Sequence, residues 1–241
     1  MPEPAPPKRP NAVGEKTTAR ISGSWQSHIN LSSFLALLVT VAFVLPSMGL
    51  GRDDIKLYGD VAFSLLLVSG VAIAWRRGKL FVLSCGVGSA ALAARWMNWF
   101  TPTPALHLWS VWWSLAAIVL IALVLLSQVF RDGPVTPARI EGAIAVYLLF
   151  GMGWAQCYDI TEFLHPGSFS TATGHFQLSD WFYYSYVTLS TVGYGDITAV
   201  HPVARTLSVT EALTGQLYLA VLIARLVAME VVSWQSRANR D

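Results

Sequence analysis

Thr188-Leu189-Ser190-Thr191-Val192-Gly193-Tyr194-Gly195-Asp196 is the stretch on which the reading of this chain turns. It lies between two long apolar segments and closes a short segment that opens on Ser179 and Asp180. Its two glycines carry no Cβ and reach positive φ as readily as negative, so this backbone can turn successive carbonyls to one side. A Cβ at Gly193 or Gly195 is expected to collide with that conformation. Asp196 adds charge at the end of the stretch.

Working outward, the chain has 241 residues, of which 54% are hydrophobic and only 12% charged. Ordinary soluble domains carry about 25% charged residues. The charges also fall in short intervals, and the apolar runs between them are long enough to cross a bilayer. This composition describes an integral membrane protein and gives no sign of nucleic-acid binding. Cys85 and Cys157 lie inside apolar segments, as small packing residues rather than a disulfide or a zinc site. Five of the first ten residues are proline, so residues 1–27 are expected to be a disordered tail. The tail is expected to stay attached, because the next apolar segment is too long for a signal-peptide core and no small-x-small site follows it.

Six segments qualify as spans at about 1.5 Å per residue against about 30 Å of hydrocarbon. They are Ile29–Met48, Leu57–Trp75, Leu80–Met97, Leu106–Phe130, Ile140–Tyr158 and Val203–Val232. A further helix, Ser179–Ser190, is too short to span, with Ser179 as its expected N-cap. With the N-terminus in the cytoplasm, eleven basic residues fall on the cytoplasmic side: Lys8, Arg9, Lys16, Arg20, Arg76, Arg77, Lys79, Arg131, Arg139, Arg237 and Arg240. Only Arg52 and Lys56 fall outside, while Arg95, Arg205 and Arg225 lie within spans. That asymmetry sets the orientation by the positive-inside rule, puts both termini in the cytoplasm and the Thr188–Asp196 stretch outside. Trp96, Trp99, Trp109, Trp112 and Trp113 gather at the outer interface, where aromatic anchors sit well.

With Thr191-Val192-Gly193-Tyr194-Gly195-Asp196 between two spans and behind a short helix, the chain resembles the pore-loop potassium channels of the six-span, prokaryotic type. The resemblance implies an all-α membrane protein with six transmembrane helices, a re-entrant pore helix and a selectivity-filter loop, assembled as a homotetramer. It implies that backbone carbonyls of Thr191, Val192, Gly193 and Tyr194, with the Thr191 hydroxyl and the Gly195 turn, replace the water shell of K⁺. K⁺ is then the permeant ion, and no cofactor is expected. Tyr183 and Tyr184 match the family's aromatic pair behind the filter. Tyr184 is expected to touch Tyr194, and Tyr183 to bond Asp196. Relatives that carry a glutamate behind the filter have it where Val187 stands here, so a Glu–Asp style of inactivation is not expected.

On the last span, Gly215 stands where the resemblance places a gating hinge, although packing of a small residue against a neighbour fits as well. Gln216, Leu219, Ile223 and Val227 fall on one helical face. That face is assigned to the cavity and gate, with ordinary helix–helix core as the alternative. Glu211 lies about 140° around the helix from Gln216 and points away from the pore axis. A carboxyl there is expected to be protonated or hydrogen-bonded to backbone or hydroxyls behind the filter, and to report pH.

Residues 28–131 read as a four-helix bundle like a voltage sensor, yet Leu106–Phe130 holds no charged residue. Conventional voltage gating needs charge in the fourth span and is therefore not expected. Asp60 and Arg95 match in depth, and an ion pair between them is expected. Residues 132–233 read as the pore domain and 234–241 as a short cytoplasmic tail, with no room for a ligand-binding or assembly domain. Control is expected through lipids, protons, membrane tension or a separate regulatory subunit. His165, His175 and His201 read as solvated loop residues. The function expected is passive, K⁺-selective conduction across the plasma (inner) membrane. A weakly selective monovalent cation channel and a non-conducting partner subunit are the alternatives. No catalytic constellation or phosphate loop appears, so an enzyme is not expected.

Overall fold

The computed structural model describes residues 31–48, 52–73, 78–131, 135–171, 174 and 176–238. The tail before residue 28, the basic residues Arg76, Arg77 and Arg240, and His175 lie outside the described residues. In chain order the helices are α1 (Leu31–Ser47), α2 (Arg52–Ile73), α3 (Lys79–Phe100), α4 (Pro104–Val129) and α5 (Pro137–Leu164). Strand β1 (Phe169–Thr171), helix α6 (Leu178–Leu189), strand β2 (Ile197–Ala199) and helix α7 (Pro202–Ala238) follow. This is an all-α membrane fold. Among the described residues α3, α4, α5 and the Pro202–Val231 part of α7 are long and apolar enough to cross a membrane. Helix α1 and the apolar part of α2, Leu57–Ile73, are shorter.

Local chemistry sets the helix ends. The Thr103 hydroxyl accepts the Leu106 N–H at 3.2 Å and Pro104 occupies the first turn, so α4 starts two residues before the predicted boundary. Helix α5 runs six residues past the predicted Tyr158 end. The two acids this adds are both partnered: Asp159 Oδ2 lies 3.2 Å from His107 Nε2, and Glu162 accepts the N–H groups of Gly167 and Phe169. In α1 the Leu45 N–H bonds the Thr40 carbonyl across a π turn. Pro46, which has no N–H to continue the regular ladder, follows directly. Phe43, on this turn, packs its ring 4.9 Å from that of Tyr186 on α6, so the first helix touches the short helix directly.

The expected Asp60–Arg95 pair forms, linking α2 to α3 at 2.5 Å. One expectation needs correction. The N-cap of α6 is Gln177 rather than Ser179. Its side chain accepts the Asp180 N–H while Asp180 Oδ2 accepts the Gln177 N–H at 2.8 Å, a reciprocal box that satisfies two orphan donors. The segment between α5 and α6 holds a short strand. Its β1 pairs antiparallel with β2, Phe169 opposite Ala199 and Thr171 opposite Ile197.

Candidate functional site

Helix α6 is wedged between α5 and α7, and both neighbours make room for it at a glycine. A Cβ on Gly151 of α5 would stand 2.2 Å from the Tyr186 ring. One on Gly215 of α7 would stand 2.2 Å from the Leu189 carbonyl oxygen, at the end of α6. Gly215 therefore lets the last helix approach the foot of the loop, and α7 runs unbroken through it. This is the packing of a small residue against a neighbour.

From Leu189, which is fully buried, the chain leaves α6 and becomes exposed through Asp196. The first turn of the loop hangs from the helix: Thr191 N–H bonds Thr188 O at 2.9 Å, and Val192 N–H bonds Val187 O at 3.0 Å. Positive φ occurs at Thr191 (59°), Gly193 (59°) and Gly195 (80°). Threonine is β-branched and rarely adopts this region. The space around Gly193 and Gly195 is open within the chain, with no atom within 4 Å of an added Cβ. Within the single chain, the demand for glycine at these two positions is therefore conformational.

Below the loop, the Gln216 amide donates to Thr191 Oγ1 at 3.2 Å, tying α7 to the first loop residue. Gln216, Leu219, Ile223 and Val227 lie together on an exposed face of α7. A second stripe about a third of a turn away, Ala204, Glu211, Gly215 and Tyr218, is buried. Above the loop, β2 follows immediately and is held by β1. The Ser168 carbonyl accepts Val200 and His201 N–H groups at 2.8 and 3.2 Å. The loop is thereby anchored at both ends.

Tyr183 makes the contact with Asp196 expected of it and also takes the contact with Tyr194 expected of Tyr184. The ring of Tyr183 lies parallel to that of Tyr194, with centroids 6.4 Å apart and planes within 5°. Its hydroxyl donates to Asp196, whose carboxylate pushes the Tyr183 pKa up to about 12. Tyr184 instead turns inward, edge-on to Tyr158 and Phe169, and its hydroxyl bonds Ser208 at 2.8 Å. On a helix, adjacent residues diverge by about 100°, so one of the pair faces the loop and the other faces the core.

Glu211 is fully buried between three helices. Tyr158 of α5 donates to its Oε2, and Ser185 of α6 lies 2.5 Å from its Oε1. Sequence reading missed Tyr158, Ser185 and Gly151 as parts of this site. Their signal, polar or small residues inside apolar helices, becomes meaningful only when the helices face one another.

Residues 142–231, from α5 through most of α7, match a protein-family model described as "Ion channel". The chain is 38% identical over 80 residues to the inward rectifier potassium channel Kirbac3.1 of Paramagnetospirillum magnetotacticum. That similarity covers 33% of this chain and 24% of the relative's length. No solved structure matches the chain significantly.

Proposed function

We propose, from the premise that residues 142–231 belong to the pore-loop potassium-channel superfamily, that four copies of this chain form one K⁺-selective pore. The observation that carries this reading is the exposed backbone from Thr191 to Gly195, with positive φ at alternate residues and an anchor at each end. One such loop supplies a quarter of each oxygen ring, so cyclic assembly of identical subunits completes the site. K⁺ is the cargo, held in turn by oxygens of Thr191, Val192, Gly193 and Tyr194. The C-terminal end of α6 points its partial negative charge toward the cation path.

In this reading residues 132–233 are the pore domain and residues 28–131 a bundle without the charges of a voltage sensor. The first two helices complete six spans, the termini lie in the cytoplasm, and the bilayer is the inner membrane. Tyr183 and Asp196 brace the outer end of the filter, while Tyr184 and Glu211 act from the core behind it. Gln216, Leu219, Ile223 and Val227 line the cavity, and the last three form an apolar constriction that closes by dewetting. An ion-channel family points away from an enzyme.

The test is K⁺ flux into liposomes carrying purified protein, followed by reversal potentials in mixed K⁺ and Na⁺ in planar bilayers. K⁺-selective current from a tetramer is expected. Equal passage of Na⁺ would select the weakly selective channel. A silent, monomeric protein would select the partner-subunit reading.

A further inference from the structure

Three oxygens behind the loop set a problem in proton placement. Ser185 Oγ lies 2.5 Å from Glu211 Oε1 and 2.7 Å from the Gly151 carbonyl oxygen. A serine hydroxyl owns one proton and can donate only once at full strength. Two oxygens held at these separations repel unless a hydrogen stands between them. If Glu211 is ionised, Ser185 must choose between the carboxylate and Gly151, and one close contact is left without a proton. Tyr158 offers no relief, because its hydroxyl already donates to the other carboxyl oxygen.

One added proton resolves every contact. We infer that Glu211 is a neutral carboxylic acid that donates through Oε1 to Ser185 Oγ, while Ser185 donates onward to the Gly151 carbonyl and Tyr158 donates to Oε2. The inference rests on the channel reading for its consequence, and makes Glu211, Ser185, Tyr158 and Gly151 positioning residues for the filter. Each hydrogen bond in the chain crosses from one helix to another: α7 to α6, α6 to α5, and α5 back to α7. The carboxyl is thus the bolt that sets the depth and tilt of α6, whose last carbonyls and first loop residues build the filter. No basic side chain forms an ion pair with Glu211 among the described residues, so nothing there compensates an ionised form in a buried site. The other titratable groups around it, Tyr147, Cys157, Tyr184 and Tyr186, are phenols and a thiol, none of which can carry a compensating positive charge.

Glutamine reproduces this pattern, since its NH₂ donates to Ser185 and its carbonyl accepts from Tyr158. Alanine and aspartate do not. Purified full-length protein with Glu211→Gln is therefore expected to keep the wild-type K⁺/Na⁺ permeability ratio and tetramer melting temperature. Glu211→Ala and Ser185→Ala should lower the permeability ratio on the order of tenfold, as expected for stranding a buried hydrogen-bonding group. Infrared difference spectra of wild type against Glu211→Gln at neutral pH should show a protonated-carboxyl stretch that moves in D₂O. This readout survives even if Glu211→Ala does not assemble. Absence of that band, or a Glu211→Gln variant as defective as Glu211→Ala, overturns the inference. So does a Ser185→Ala variant with wild-type selectivity. A wild-type protein with no K⁺ selectivity would instead sink the channel reading and leave the infrared result standing.

Discussion

Arg95 Nε lies 2.5 Å from Asp60 Oδ1, and the same guanidinium sits 4.5 Å over the Phe63 ring and 3.5 Å from the Ser114 hydroxyl. One arginine on α3 thereby touches α2 twice and α4 once. Both charged side chains are almost entirely covered, so the cation is held by a carboxylate, a hydroxyl and an aromatic face instead of water. The pair fastens the uncharged α4 to the two helices before it.

Removing one partner leaves the other buried and alone. Arg95→Met or Asp60→Leu should each destabilise the folded chain by about 3 kcal/mol, while the double replacement recovers much of the loss. Thermal unfolding in detergent checks this, and tetramer yield should follow the same order. Additive losses in the double variant would refute the coupling.

Gly193→Ala and Gly195→Ala should abolish K⁺-selective current, because a side chain costs about 1–2 kcal/mol at each left-handed residue and four subunits share the strain. Since no atom of the same chain stands in the way of the new methyl, the variants are expected to express and assemble. Bilayer recordings beside size-exclusion profiles separate the two effects. A variant that fails to assemble would instead mark a steric collision between subunits.

Gly215→Ala is a different kind of lesion. Its methyl meets the Leu189 carbonyl at 2.2 Å, and backbone on both sides leaves little to yield, so overpacking of about 1–3 kcal/mol is expected. The melting temperature should fall, and Thr191 at the foot of the loop should be displaced from Gln216. If the variant is as stable as wild type and differs only in opening, Gly215 serves as a hinge after all.

The Tyr183–Asp196 bond gives a pH window. Its raised pKa means that the stabilisation is fully present below the ordinary tyrosine value of about 10 and is lost as pH climbs through about 12. Outer pH between neutrality and about 9 should therefore leave filter stability unchanged through this residue. Tyr183→Phe should accelerate loss of current at every pH in that range. Recordings with stepwise alkalinisation of the outer solution decide it.

Leu219, Ile223 and Val227 line the exposed face of α7. Replacing Ile223 with Ser should wet the constriction and raise the resting open probability, with K⁺/Na⁺ selectivity unchanged. A shift in selectivity would mean that this face supports the filter rather than the gate.

The order of elements was open to sequence reading because each is written in a local pattern. Apolar runs mark the helices, and a short helix precedes a glycine-bearing loop. Helix ends shifted by a few residues wherever a cap or a paired acid, such as Thr103 or Glu162, decided them. What tertiary structure alone decided was rotation and approach. It sent Tyr183 to Tyr194 and Tyr184 to Ser208, pressed Gly215 onto Leu189, paired β1 with β2, and brought Tyr158, Ser185 and Glu211 together. All but the first of those contacts join positions 24 or more residues apart. Which face each helix turns to its neighbours depends on side chains from all of them packing at once, and no local stretch of sequence carries that information.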